Sequence, residues 1–205
     1  TGYKQGDYEQ AVDYYQRSLA LRREIGDRWG VAQCYSNLGE AALSLRDYRQ
    51  AETYLKEAIE IFTALGSKPH LIDPHRNLSE VLLVQGRLEE ALEHAETARQ
   101  LAESLGNRPA TGLAWRAMAA AYAQLGDPRA EEAYQNSIAI LEEAGDQVEL
   151  ARACAGYGRW LTEQGQARGD EEMLTRGRAY LGRAAEMFTA AGAEEEARRA
   201  REALE

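Results

Sequence analysis

Two interleaved series of turn-forming residues divide this 205-residue chain at a nearly constant interval, and that interval constrains the fold more than any other feature. Gly26, Gly66, Gly106 and Gly145 form one series, spaced by 40, 40 and 39 residues; Gly6, Arg46, Gly86, Gly126 and Gly165 form the other, spaced by 40, 40, 40 and 39. A fixed period of this kind, with each unit split into two stretches of roughly 15–20 residues, marks stacked helix-turn-helix units whose apolar faces are buried only against their neighbours. The expected fold is all-α, an α-solenoid of antiparallel helix pairs, with no strand.

The residues beside these breaks support the division. Asp7, Asp47 and Asp127 follow the second series, and a carboxylate there can accept backbone N–H groups at a helix start. Gln10 and Gln50 stand three residues on, in capping-box positions, and Asp146 with Glu149 repeats the arrangement. Pro128 after Asp127 suits a first helical position, where its missing N–H is no loss. In the second unit Pro69 and Pro74 fall where a first helix should run, so Asp73 is expected to be its N-cap, with the groove shortened or kinked beside Leu71 and Ile72.

Within the units, large and small residues hold fixed phases. The first helices read Tyr35-Leu38-Gly39-Ala42, His75-Leu78-Ser79-Leu82, Trp115-Met118-Ala119-Tyr122 and Cys154-Tyr157-Gly158-Leu161. The second helices read Ala11-Tyr15-Ser18, Ala51-Leu55-Ala58, Ala91-Ala95-Ala98, Ala130-Tyr134-Ser137 and Gly177-Leu181-Ala184. This order of aromatic, Leu-Gly, bulky residue, then Ala, bulky and small residue resembles the tetratricopeptide repeat signature over essentially the whole chain. The repeat is longer than the usual tetratricopeptide unit and lacks the proline that ends its second helix. That longer form is similar to the repeats of Pins-type adaptors, kinesin light chains and the sensor regions of bacterial signal-transduction ATPases. The resemblance implies a right-handed superhelix whose first helices line a concave face that holds a protein segment.

On this division residues 1–27 are a partial repeat, 28–67, 68–107, 108–146 and 147–192 are repeats one to four, and 193–205 form a capping helix. The fourth repeat carries an insertion near residues 166–175, expected as a longer loop with a helix restarting at Glu171. Residues 1–5 fall at the phase of the end of a first helix, so the chain is expected to start inside a repeat of a longer protein. The exposed stacking face of the residue 8–25 helix, with Tyr14, Tyr15 and Leu19, then becomes a candidate surface for self-association.

Charge and motifs narrow the function. With 34 acidic against 24 basic residues the net charge is −10, which argues against direct nucleic-acid binding. No apolar run approaches the roughly 18 residues of a membrane span. Two distant cysteines, Cys34 and Cys154, read as small buried thiols, and a cytoplasmic location is expected. The three histidines, His70, His75 and His94, have no spacing that builds a metal or catalytic cluster along one helix, and His75 sits at an aromatic core phase. No phosphate loop or Cys-x-x-Cys occurs. An enzyme is not expected, and no cofactor or metal is implied.

The resemblance places the groove beside the Leu-Gly phase: Ser36 and Glu40 in repeat one, Arg76 and Glu80 in repeat two, Arg116 in repeat three, Arg152 and Arg159 in repeat four. Arg76 and Arg116 are equivalent by the 40-residue period and should stand in adjacent rows. Guanidinium groups in series suit carboxylates, so the expected partner is a protein or peptide segment of acidic character. The competing expectation is that these arginines pair internally with Glu40, Glu80 or Asp73. Asn37 and Asn77 share a phase suited to holding a peptide backbone, but Ala117 and Gly156 interrupt the series. Two functions follow: an interaction scaffold, or a ligand-sensing or autoinhibitory domain of a bacterial signalling or transcriptional regulator.

Overall fold

A computed structural model describes the backbone of residues 5–204 and the side chains of residues 10–204. Ten α-helices occur among the described residues: α1 Gln5–Glu24, α2 Arg28–Ser44, α3 Tyr48–Ala64, α4 Ile72–Val84, α5 Leu88–Ser104, α6 Arg108–Leu125, α7 Arg129–Ala144, α8 Gln147–Arg168, α9 Glu171–Ala190 and α10 Glu194–Glu202. Each packs against the next, and α2, α4, α6 and α8 also touch in series, so the first helices of the pairs form one continuous inner row. This is the expected α-solenoid.

Small residues set how closely each pair approaches. A Cβ added at Gly39 of α2 would lie 2.6 Å from the Leu55 side chain of α3, and one added at Gly158 of α8 would lie 2.9 Å from the Gly177 carbonyl of α9. In the third pair the buried Ser137 hydroxyl donates to the Gly112 carbonyl at 2.8 Å. The large residue between the small ones fills the remaining space: Leu55, Leu181 and Tyr157 are fully buried.

Most turns close as expected. Gly26, Gly66, Gly86, Gly106, Gly126 and Gly145 have φ between +66° and +76°. Arg46 takes the same left-handed turn at φ 60°, a conformation that costs a side-chain-bearing residue about 1–2 kcal/mol. Asp47 accepts from the Gln50 backbone N–H at 3.1 Å, and the Gln50 side chain returns to its carboxylate at 2.8 Å. Asp127 accepts from the Arg129 N–H at 2.9 Å across Pro128.

Five expectations are corrected. Helix α1 already runs from Gln5, so Gly6 is not a break; the Asp7 side chain and residues 1–4 lie outside the described residues. Asp73 is not an N-cap: Pro69 opens a 3-10 turn, Lys68–Leu71, that leads directly into α4, leaving Asp73 and Pro74 in its first turn. The helix is nevertheless short, at 13 residues against 17 for α2. Gly165 lies buried inside α8, where a Cβ would meet the Asp170 carbonyl at 3.0 Å; the turn is at Gly169, with φ 66°. The insertion in repeat four is therefore additional helix in α8 and α9 instead of a long loop, although the helix does restart at Glu171. On α1, Leu19 is buried and Tyr15 packs toward the core, so the exposed apolar residues there are Tyr14 and Leu21, with Ile25 in the turn that follows.

Both thiols are buried, and burial pushes Cys154 up to about 11. No helix of the described residues is long and apolar enough to cross a membrane.

Candidate functional site

The inner row of first helices lines a groove of about 540 Å³ that runs from α2 to α10. Its floor and walls carry Glu40, Leu43, Arg76, Asn77, Glu80, Val84, Arg116 and Arg152 from the first helices, joined by Arg46 and Tyr48 from the turn into α3 and by Glu149 and Arg199. The register argument thus places Glu40, Arg76, Asn77, Glu80, Arg116 and Arg152 in one cleft. Ser36 is buried outside it, and Asn37 accepts a hydrogen bond from the Gln33 side chain at 3.1 Å instead of facing the groove. Asn77 is itself only 3% exposed.

The arginines do not stand free. Arg76 on α4 lies 3.5 Å from both Asp73 and Glu80. Arg116 on α6 lies 3.3 Å from Glu80 and 3.1 Å from Glu149 on α8. Arg152 pairs with Glu149 one helical turn away and reaches Glu196 on α10 at 3.7 Å. The result is an alternating chain, Asp73–Arg76–Glu80–Arg116–Glu149–Arg152–Glu196, that crosses four helices. Its one-carboxylate, two-guanidinium steps link successive repeats, because Glu80 and Glu149 each serve arginines on two helices. Burial pulls the Arg116 guanidinium toward deprotonation, but Glu80 and Glu149 outweigh it and hold it above its ordinary range. The Nε atoms of Arg76 and Arg116 are buried without a hydrogen-bond partner, so these forks are incompletely satisfied.

Glu40 and Arg159 make no ion pair among the described residues. Arg159 is exposed at the far end of the inner row, where a smaller hollow of about 190 Å³ opens among Arg116, Arg152, Ala155, Arg159, Phe188, Glu196 and Arg199. Three charged members of the groove's C-terminal end were not legible as groove residues. Glu149 reads as half of a capping box, and its backbone N–H does bond Asp146 at 3.1 Å, but its carboxylate turns away to the arginines. Glu196 and Arg199 lie on α10, which reads as a polar cap yet forms the end wall of the groove.

Elsewhere, the two imidazoles that sequence spacing kept apart meet across the α4–α5 interface, with His75 Nδ1 and His94 Nδ1 2.8 Å apart. Burial, then the neighbouring imidazole, pulls His75 down to about 4. No cluster of three or more metal-ligating side chains is present among the described residues.

Stacked helix pairs with a charged inner cleft define a helical-repeat solenoid of the kind that presents a concave surface. The tetratricopeptide repeat profile matches residues 3–64 and 71–130, and the chain belongs to the tetratricopeptide repeat family. Among solved structures it is similar to a Rap protein complexed with competence and sporulation factor, at 16% identity and a TM-score of 0.71, over 98% of this chain and 70% of that one. It is also similar to a signal transduction ATPase with a tetratricopeptide repeat sensor from Pyrococcus horikoshii, at 18% identity and 0.70, over 96% of this chain and 31% of that one. BtubC from P. vanneervenii matches at 17% identity and 0.65, over 96% of this chain and 90% of that one. These likenesses establish the fold. No curated protein sequence matches the chain.

Proposed function

We propose that this chain is a non-enzymatic cytoplasmic scaffold that holds a segment of another protein in its concave groove. The observation that carries the proposal is the continuous cleft of about 540 Å³ built from one face of successive first helices. The segment is acidic where it meets the C-terminal end. Arg76, Arg116 and Arg152 are already matched by the groove's own carboxylates, whereas Arg159 is unmatched among the described residues and the Arg152–Glu196 contact, at 3.7 Å, is the loosest of the chain.

A photoreactive residue placed at Leu43 or Val84, inside the groove, should couple to a partner segment when the protein is expressed in its own cell. The same residue at Glu57 or Thr97, on the second helices, should not. Equal coupling from both positions would refute a groove site, and captured segments without acidic residues would refute the acidic end.

A ligand-sensing or autoinhibitory role is the second reading. It is favoured by the likeness to a signal transduction ATPase with a tetratricopeptide repeat sensor, of which the match covers 31%, and to a Rap protein complexed with competence and sporulation factor. In that case the partner segment belongs to the same polypeptide, and the coupled product stays at the mass of a single chain. Exposed Tyr14 and Leu21 on α1 and Ile25 just after it also offer a surface for self-association, expected as concentration-dependent sedimentation that Ile25→Glu abolishes.

A further inference from the structure

The small hollow at the C-terminal end of the groove differs in chemistry from the alternating chain beside it. Its lining holds four guanidinium groups, Arg116, Arg152, Arg159 and Arg199, against one carboxylate, Glu196. They converge from three helices, α6, α8 and α10, so their forks approach the cavity from different directions. Arg152 and Arg159 are seven residues apart on α8, which puts them on the same face about 10 Å apart along the axis. Between them lies Ala155, 3% exposed, whose short side chain leaves the space open.

We propose that this hollow is a binding site for a compact tetrahedral oxyanion of the phosphate-monoester type, with Arg159 and Arg199 as its principal donors. A carboxylate carries one charge and offers its acceptor sites within a single plane, so forks that arrive from outside that plane are poorly used. A phosphate presents oxygens out of any one plane and carries close to two charges near neutral pH, which matches several forks converging from separate helices. The site can also draw on a neighbour: Arg199 is held by Glu195 at 2.9 Å on an exposed surface and can turn toward an entering anion at small cost, because exposed ion pairs of this kind are weakly coupled, whereas Arg152 stays anchored by Glu149. The cavity, about 190 Å³, admits a phosphate group with a short stem and not an extended chain. Helix α10 is thereby a working wall of the groove. The proposal extends the reading of an acidic C-terminal end, but free anions test it without any peptide being held.

The test uses the whole chain, with thermal unfolding and ³¹P NMR line broadening followed during titration at constant ionic strength. The probes are inorganic phosphate, phosphoserine and acetate, with chloride as the reference salt. Saturable stabilisation by phosphate and phosphoserine, at least about fivefold tighter than by acetate, is expected. Arg159→Gln and Arg199→Gln should each weaken phosphate at least about fivefold while leaving the circular dichroism spectrum unchanged, and Arg49→Gln, on the outer face of α3, should leave it unaltered. The proposal is overturned if phosphate stabilises no more than chloride, if acetate equals phosphate, or if both variants bind as wild type does. Equal binding of phosphate and phosphoserine assigns the site to the bare phosphate group; tighter phosphoserine shows that the stem is also recognised, and both results uphold it.

Discussion

The His75–His94 contact makes the stability of the second repeat depend on pH in a defined direction. With Nδ1 atoms 2.8 Å apart, one ring donates and the other accepts; burial favours the neutral form of both, and as neutral rings they hold opposite tautomers. The unfolded imidazole takes up a proton near 6.5, whereas burial keeps His75 neutral down to about 4. Between those values the unfolded chain binds more protons, so stability is complete above pH 6.5, falls as the pH drops toward 4, and falls no further below it. The interval from 6.5 to about 4 corresponds to at most about 3 kcal/mol; the partial exposure of the ring reduces this to about 2 kcal/mol. His94 shifts in the same direction, mainly through burial, with Glu90 and Glu93 opposing and Lys56 and Arg87 reinforcing it. Tyr35 and Tyr54 occupy the equivalent slot one repeat earlier, with ring centroids 6.0 Å apart, so His75→Tyr/His94→Tyr is the natural comparison. Urea unfolding and amide exchange in α4 and α5, measured from pH 7 to 4, should show the wild type losing about 2 kcal/mol more than this variant. Parallel curves for the two proteins would refute the reasoning, because every carboxylate that titrates in the same range is common to both.

Three further substitutions test the packing and the ion-pair chain. Arg46→Gly should stabilise by about 1 kcal/mol in urea unfolding, since it relieves the left-handed backbone at φ 60°. Gly158→Ala should destabilise by about 2–3 kcal/mol, because the added Cβ meets two backbone groups, the Gly177 carbonyl at 2.9 Å and the Leu181 nitrogen at 3.0 Å, and α8 must move off α9. Glu149→Gln should cost about 2 kcal/mol, between the values for exposed and buried pairs, since the Glu149 carboxylate is 17% exposed and serves both Arg116 and Arg152. A double cycle with Arg116→Gln separates that coupling from simple loss of packing.

What could be read from the sequence was whatever depends on residues close together in the chain or related by the period. The Asp47–Gln50 cap, the left-handed turns and the small residues at Gly39 and Gly158 all follow from local geometry repeated every 40 residues. Gly165 misled because glycine serves two purposes: turns need its backbone freedom, and close helix contacts need its missing side chain, as beside Leu174. Pro69 and Pro74 mislead because a proline beyond the first turn ordinarily breaks an α-helix, whereas here a 3-10 turn absorbs Pro69 and leaves Pro74 within the first turn of α4. Periodicity found Arg76, Glu80 and Arg116. Glu149, Glu196 and Arg199 were missed because side-chain direction at a helix start, and the return of α10 to the groove, are tertiary facts. The His75–His94 contact belongs to the same class: its partners are 19 residues apart on different helices.

The alternating chain changes how an acidic segment would be recognised. A groove of unpaired arginines would attract any polyanion over long range, and its binding would weaken steeply with salt. Here an entering carboxylate at Arg76 or Arg116 must replace one that the protein already supplies, so the net electrostatic gain is small and geometry decides. On the proposed reading, selectivity would come from how well a segment's own acidic residues reproduce the positions of Glu80 and Glu149, while affinity would be concentrated at the Arg159 end, where no replacement is needed. Salt should accordingly weaken binding there far more than it alters the discrimination between segments along the rest of the groove.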